Sequence, residues 1–278
     1  MRVARSKNFA GPYEKYNGGE LLRPSAGWKC IGHGTFVQSA SGVYYFLSHA
    51  YNEVSDIYTG RQGMLSTLSW PKGKDWPVMN AVATELPVPE IHDDFNGKTP
   101  GLYWRYDLHK SIPVVRQENG NLILSGNMIA GNTTGILYGV RPYTAHYSIS
   151  TTVTNDNDAV KGLSFYGTFD NAIGIGYRNN VLTFWRVKAG VTDNIDSVVF
   201  TTNTGAPLEL KMEMLPDKTA RAFYRQGGVG SWNELKGSEN ISVDFLPQWD
   251  RAPRVGLFFK GDATQDASFG RFDLVNLK

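Results

Sequence analysis

Apolar residues along this chain recur mostly with period two, the signature of strands that bury one face. In Tyr147-Ser148-Ile149-Ser150-Thr151-Thr152-Val153-Thr154 one face carries Tyr, Ile, Thr and Val and the other Ser and Thr. In Leu208-Glu209-Leu210-Lys211-Met212-Glu213-Met214 the split is sharper, Leu and Met against charge. Runs at Asn121 to Leu124, Gly162 to Tyr166, Ala172 to Tyr177, Val181 to Val187, Ala220 to Tyr224, Val255 to Phe259 and Phe269 to Leu277 predict further strands, and a two-sheet sandwich or jelly roll would bury their apolar faces. Earlier in the chain, shorter bursts lie between glycine turns: Gly34 to Val37, Gly42 to His49 and Met64 to Trp70. These predict consecutive antiparallel strands of one small sheet.

The two regimes meet near Glu85-Leu86-Pro87-Val88-Pro89-Glu90, where paired prolines discourage continuous strand pairing. The expected division is therefore 1–88, a linker at 89–92, and 93–278. A length of 278 residues accommodates two such domains. Thirty glycines and 13% aromatics suit an all-β chain rich in tight turns. Lys and Arg number 28 against 26 Asp and Glu, and they are scattered along the chain, so neither nucleic acid nor an acidic membrane surface is the expected partner. A single cysteine, Cys30, excludes an intramolecular disulfide, and no Cys/His spacing suggests zinc. The polar start Met1-Arg2-Val3-Ala4-Arg5 lacks the apolar core of a secretory signal. Localisation is left open, since a signal could precede these residues.

Several strings in the first region are more specific: Ala4-Arg5-Ser6-Lys7-Asn8-Phe9-Ala10-Gly11-Pro12-Tyr13-Glu14, then Gly32-His33-Gly34-Thr35-Phe36-Val37, then His49-Ala50-Tyr51, Gly60-Arg61-Gln62, and Trp70 through Asp75-Trp76-Pro77. In order and spacing they resemble the end of the propeller of glycoside hydrolase family 43, the five-bladed arabinanases, arabinofuranosidases and β-xylosidases. The resemblance covers about the first third of the chain. It implies that the strand before Gly-Pro-Tyr-Glu closes the fourth blade and that the stretch through Trp76 makes the fifth.

The same resemblance implies inverting hydrolysis of arabinan- or xylan-type plant cell-wall polysaccharides, with one carboxylic acid protonating the leaving oxygen and a second carboxylate activating water. Those carboxylates, and a third acid that tunes the first, are expected on earlier blades, so this chain is expected to be a fragment lacking catalytic residues. Glu14, Glu20, Glu53, Asp56 and Asp75 lie in apparent loops, the usual place of solvated acids.

Three residues carry what the resemblance implies for binding. His33 corresponds to a histidine near the propeller axis, under the sugar, where it helps hold a water-coordinated metal ion such as Ca²⁺ or a catalytic carboxylate. Its alternative is a buried histidine satisfied by backbone carbonyls. Arg61 corresponds to an arginine that reaches the innermost sugar, a role suited to a planar guanidinium with five donors; its alternative is a surface arginine. Trp28 is an aromatic able to stack on a sugar face, whereas His49, Tyr51 and Trp76 read as packing between blades.

From Asp93-Asp94-Phe95 onward, Trp104, Asn119-Gly120-Asn121-Leu122-Ile123-Leu124 and Phe269-Gly270-Arg271-Phe272-Asp273 resemble the concanavalin A-like sandwich appended to many family members. Tyr103, Trp104, Tyr177, Trp185, Trp232 and Trp249 are expected mainly in its core, with a sugar platform as the alternative. The loop Asn155-Asp156-Asn157-Asp158 offers oxygens to calcium but lacks the glycine and terminal glutamate of an EF-hand, and a solvated turn is the expectation. A second class of function stands beside the glycosidase: a non-catalytic carbohydrate-binding or scaffolding module in which the sandwich is the working part.

Overall fold

The structure is a computed structural model of the 278-residue chain. It describes all residues except 23–26, 54–58, 83–87, 201–205, 229, 236, 238–240 and 247–250. The chain divides into two compact units, Met1–Pro87 and Val88–Lys278. Both are all-β.

In the first unit β1 (Ala4–Arg5) pairs with β2 (Glu14–Lys15) as a short ribbon, while β3 (Trp28–Gln38), β4 (Tyr44–Asn52), β5 (Gln62–Ser69) and β6 (Val78–Ala81) form an antiparallel sheet in sequential order. A four-stranded meander of this kind is the building unit of a β-propeller. Alternation along β4 explains its two faces. Phe46, Ser48 and Ala50 point into a core completed by Leu22, Ile31, Leu68 and Met79, and Tyr45, Leu47, His49 and Tyr51 alternate onto the opposite face. On that opposite face Leu47 pairs directly with Leu65, and the two remain 51% and 40% exposed.

Strand β3 is irregular where the sequence carries its glycines. The register against β4 shifts between Lys29 and Gly32 and again between Gly32 and Thr35, with Cys30 and His33 both in the left-handed region at φ 54° and 40°. A Cβ on Gly34 would lie 2.2 Å from the Leu47 carbonyl oxygen, so the second irregularity can close only over glycine.

The second unit begins with β7 (Ile91–Asp93), followed by β8 (Arg105–Tyr106), β9 (Ser111–Glu118), β10 (Asn121–Met128), β11 (Ile136–Val140), β12 (Tyr147–Val153) and β13 (Val160–Thr168). It continues through β14 (Asn171–Arg178), β15 (Val181–Lys188), β16 (Val191–Val199), β17 (Leu208–Met214) and β18 (Thr219–Gln226). Short β19 (Asn233–Glu234) and β20 (Ile241–Ser242) precede β21 (Arg254–Lys260) and β22 (Ala267–Asn276). One sheet runs β19-β18-β17-β12-β22-β10-β9, with β20 on β18 and β7 on β22; the other runs β16-β15-β14-β13-β21-β11-β8. Their inner faces meet in the core, where for example the Tyr147 and Phe165 rings stand 5.8 Å apart and nearly perpendicular.

The strand expectations for 147–154 and 208–214 match β12 and β17, whose burial alternates strictly. The linker expectation needs correction at its end. Ile91 and His92 belong to β7, paired with Leu274 and Asp273, because Ile91 is buried and satisfies its backbone on the last strand. Residues 83–87, which carry the first half of the proline-rich boundary, lie outside the described residues.

Candidate functional site

The irregularity in β3 determines where His33 projects. Its side chain is exposed, and its ring centroid lies 6.0 Å from that of His49 on the neighbouring strand. His49 pairs with Gly32 on one side and Gly63 on the other, and a Cβ on either glycine would meet open space. The His49 ring stands edge-on to Tyr51 at 6.5 Å, and the Tyr51 hydroxyl accepts a hydrogen bond of 3.3 Å from Arg61 Nε.

His33, His49, Tyr51 and Arg61 thus form one row that crosses from β3 over β4 to the residue before β5. Two of the four, His33 and Arg61, are those singled out from the sequence; His49 and Tyr51 link them. Alternation along β4 shows in the sequence only that His49 and Tyr51 share a face; their link to His33 and Arg61 comes from strand register. Buried satisfaction by carbonyls does not describe His33, which is exposed and held in a sparsely populated backbone conformation. Trp28 is placed differently. It is half-buried, pairs with Asn52, and packs against the core of its own sheet, so its ring is not presented with the row.

Two imidazoles, a phenol and a guanidinium can donate to and accept from sugar hydroxyls. They contain no carboxylate, so the row can bind and orient but does not by itself supply the acid and base of glycoside hydrolysis. Of the loop acids, Glu14 forms a 2.9 Å ion pair with Arg5, and Glu20, Glu53 and Asp75 are exposed; Asp56 lies outside the described residues. The Arg5 guanidinium also sits 4.4 Å over the Trp76 ring and donates to the Asp75 carbonyl, while Tyr16 packs on Trp76 at 5.3 Å. Strings seventy residues apart in sequence therefore meet in one cluster that pins the β1–β2 ribbon, a structural use of Glu14 and Trp76.

Among the described residues, no three His, Cys, Asp or Glu side chains gather to hold a metal ion. Calcium takes six to eight oxygen ligands, and His33 with His49 offers none.

In the second unit the 155–158 loop is organised around a cation of its own. Lys161, fully buried at the end of the core face of β13, donates from Nζ to Asn157 Oδ1 at 2.7 Å and to the Asn157 and Asn155 carbonyls at 3.2 and 3.4 Å. Burial lowers its pKa to about 8 against the opposing pull of Asp156, Asp266 and Asp158. Asn155 and Asn157 both donate to Asp266, which ties the loop to the start of β22. The two asparagines are built into the turn, while Asp156 and Asp158 stay exposed as expected of a solvated one. Of the aromatics, Trp104, Tyr177 and Trp185 are buried, Tyr103 is exposed, Trp232 is half-buried, and Trp249 lies outside the described residues.

Comparison with known proteins bears on the first unit by sequence and on both by fold. Residues 1–77 match the model for glycosyl hydrolases family 43. The chain is similar to a solved xylan β-1,4-xylosidase from Bacillus halodurans C-125 at a TM-score of 0.75 and 18% identity, covering 99% of this chain and 60% of that one. It is similar likewise to the GH43 BlXynB protein of Bacillus licheniformis (TM-score 0.74, 19% identity, 99% and 60%) and to GH43B of a Bacteroides ovatus xyloglucan locus (0.69, 20%, 99% and 60%). The chain thus spans about 60% of the length of these structures. At such identities the likeness establishes fold. No curated protein sequence matches.

Proposed function

We propose that Met1–Pro87 is the closing part of a family 43 propeller and Val88–Lys278 its appended concanavalin A-like sandwich, together serving a glycosidase that hydrolyses xylan- or arabinan-type polysaccharides with inversion. The observation that supports this most is a coincidence of position: the family match over residues 1–77 includes β3, β4 and β5, across which His33, His49, Tyr51 and Arg61 line up. In this reading the row forms one wall of the sugar site. Arg61 and Tyr51 bind hydroxyls, and His33 holds a catalytic carboxylate or a hydrated cation supplied by other blades. The acid and base belong to blades outside these 278 residues, and hydrolysis requires them.

The test is turnover of aryl β-xyloside, aryl arabinofuranoside, xylan and arabinan by this chain beside a form extended upstream from the same locus. We expect activity only from the longer form, and there His33→Ala should lower kcat/KM by about 10- to 100-fold, the range for losing a group that orients a ligand or carboxylate. Turnover by this chain alone would place the catalytic carboxylates within it and end this reading.

A further inference from the structure

The two outer faces of the sandwich differ in chemistry. On the nine-stranded sheet the outward side chains of β17, β18 and β22 form ion pairs, including Lys211–Glu213 at 2.6 Å, Arg221–Glu234 at 2.5 Å and Arg271–Asp273 at 2.6 Å. That face is one of paired, partly covered charges. The seven-stranded sheet instead carries a second apolar cluster on its outward side, Leu137, Tyr166, Ala172, Trp185, Val187 and Phe258, with Val160 against it. Beside that cluster lies a groove of about 510 Å³, within the usual range of small-ligand sites.

The sequence of β14 explains how the groove forms. In Ile173-Gly174-Ile175-Gly176 the isoleucines fill the core, and the outward positions are glycines. A Cβ on Gly174 would come within 2.5 Å of the Trp185 ring. The absent side chains let the indole lie across β14, against Phe258 at 4.8 Å. Trp185 is 7% exposed, yet its indole N–H finds no acceptor among the described residues. A buried N–H left without a partner costs roughly 1–3 kcal/mol, and this one belongs to a residue lining the groove.

The rim selects the class of ligand. Thr183, Thr192 and Asn194 bring neutral hydroxyl and amide groups to the lining, while Asn179 donates to Asp158 at 2.6 Å. Both cations at the groove are engaged elsewhere: Arg178 pairs with Asp158 at 2.8 Å, and Lys260 donates to the Thr133 carbonyl at 2.8 Å. Burial also lowers the Lys260 pKa. Among the described residues the lining contains no Asp, Glu or His. Apolar ring contact below and neutral hydrogen-bonding groups above suit a polyhydroxylated, uncharged ring. An anionic ligand would meet no free cation, and the lining offers no carboxylate pair for hydrolysis.

We propose that this groove is a non-catalytic binding site for a neutral oligosaccharide, separate from the His33 row, with a sugar hydroxyl accepting the Trp185 indole N–H. The test is titration of the 278-residue chain with xylohexaose, arabinohexaose, cellohexaose and maltohexaose, followed by calorimetry and tryptophan fluorescence. At least one should bind saturably. Trp185→Phe, which keeps an aromatic ring in the cluster but removes the N–H, should weaken binding about tenfold. Thr183→Lys should abolish it, and Trp232→Phe on the opposite sheet should leave it unchanged. Absence of binding to all four sugars, or equal affinity in wild type and Trp185→Phe, would overturn the proposal. So would saturation by an apolar hexapeptide with no response to any sugar. None of these measurements involves turnover, so the result stands apart from the outcome of the hydrolysis test.

Discussion

The sheet of the first unit and the sheets of the second are made from the same kind of strand but use their faces differently. The β3–β6 sheet buries one face in a core of Leu22, Ile31, Phe46, Ala50, Leu68 and Met79, while Leu47 and Leu65 on the other face stay 51% and 40% exposed. Each sheet of the sandwich packs its inner face fully against the other, with Phe165, Ile175, Leu210, Met212 and Phe272 at 0% exposure. One face of packing gives a sheet that depends on few contacts. Two opposed sheets give a core in which each residue has neighbours on every side, and stability should divide accordingly.

The comparison breaks most readily at its largest expected effect. Phe165→Ala should cost the second unit about 3–5 kcal/mol in chemical denaturation, as for a fully buried aromatic whose cavity cannot collapse. Phe46→Ala should instead expose residues 1–87 to limited proteolysis and leave the unfolding of the second unit unchanged. A common loss of protection in both units would show that they unfold as one and dissolve the contrast.

A smaller effect sharpens the picture of the second unit. Lys161→Met keeps most of the buried stem but leaves three oxygen acceptors without their donor, at an expected cost of about 1–3 kcal/mol near neutral pH. The lysine of the unfolded chain releases its proton near pH 10.4, whereas the folded one releases it near 8. Between those values the unfolded state binds more protons, so through this group stability rises with pH from about 8 to about 10, and that contribution is lost as pH falls through 8. The deficit of Lys161→Met relative to wild type should therefore widen over this window. A constant difference in melting temperature from pH 7 to 10 would contradict it.

The smallest effect concerns the open face of the first unit. The double variant Leu47→Lys, Leu65→Glu, which sets opposite charges on the paired positions, should change stability by no more than about 0.5 kcal/mol, since neither side chain is fully buried. It should also reduce self-association measured by light scattering, because exposed apolar area is removed. A loss of several kcal/mol would mean that this face is packed after all.

How much of this was legible in the sequence depended on how each strand meets solvent. Strands β12 and β17 announced themselves because one face is buried and the other wet. Strand β9 did not: Pro113 lies within it, and a proline argues against a central strand, but β9 is at the sheet edge, where the missing N–H is tolerated. Strand β11 is five buried residues with no alternation, and β16 is a polar, largely exposed edge. In the candidate site, His33 and Arg61 came from resemblance of short strings. Their connection through His49 and Tyr51 depends on register across three strands, which no local pattern encodes. The groove had a readable trace, glycine at alternate positions of β14, but its meaning requires knowing that Trp185 lies opposite Gly174.

The ammonium of Lys161 carries a consequence for the conditions in which the second unit works. A dissolved calcium ion holding such a loop would come and go with its concentration and could be stripped by a chelator. A cation tethered to the backbone of β13 cannot diffuse away, so the fold of the 155–158 loop should be indifferent to calcium-poor media and to EDTA. Acidity takes the place of ion supply as the variable to which this corner of the protein responds.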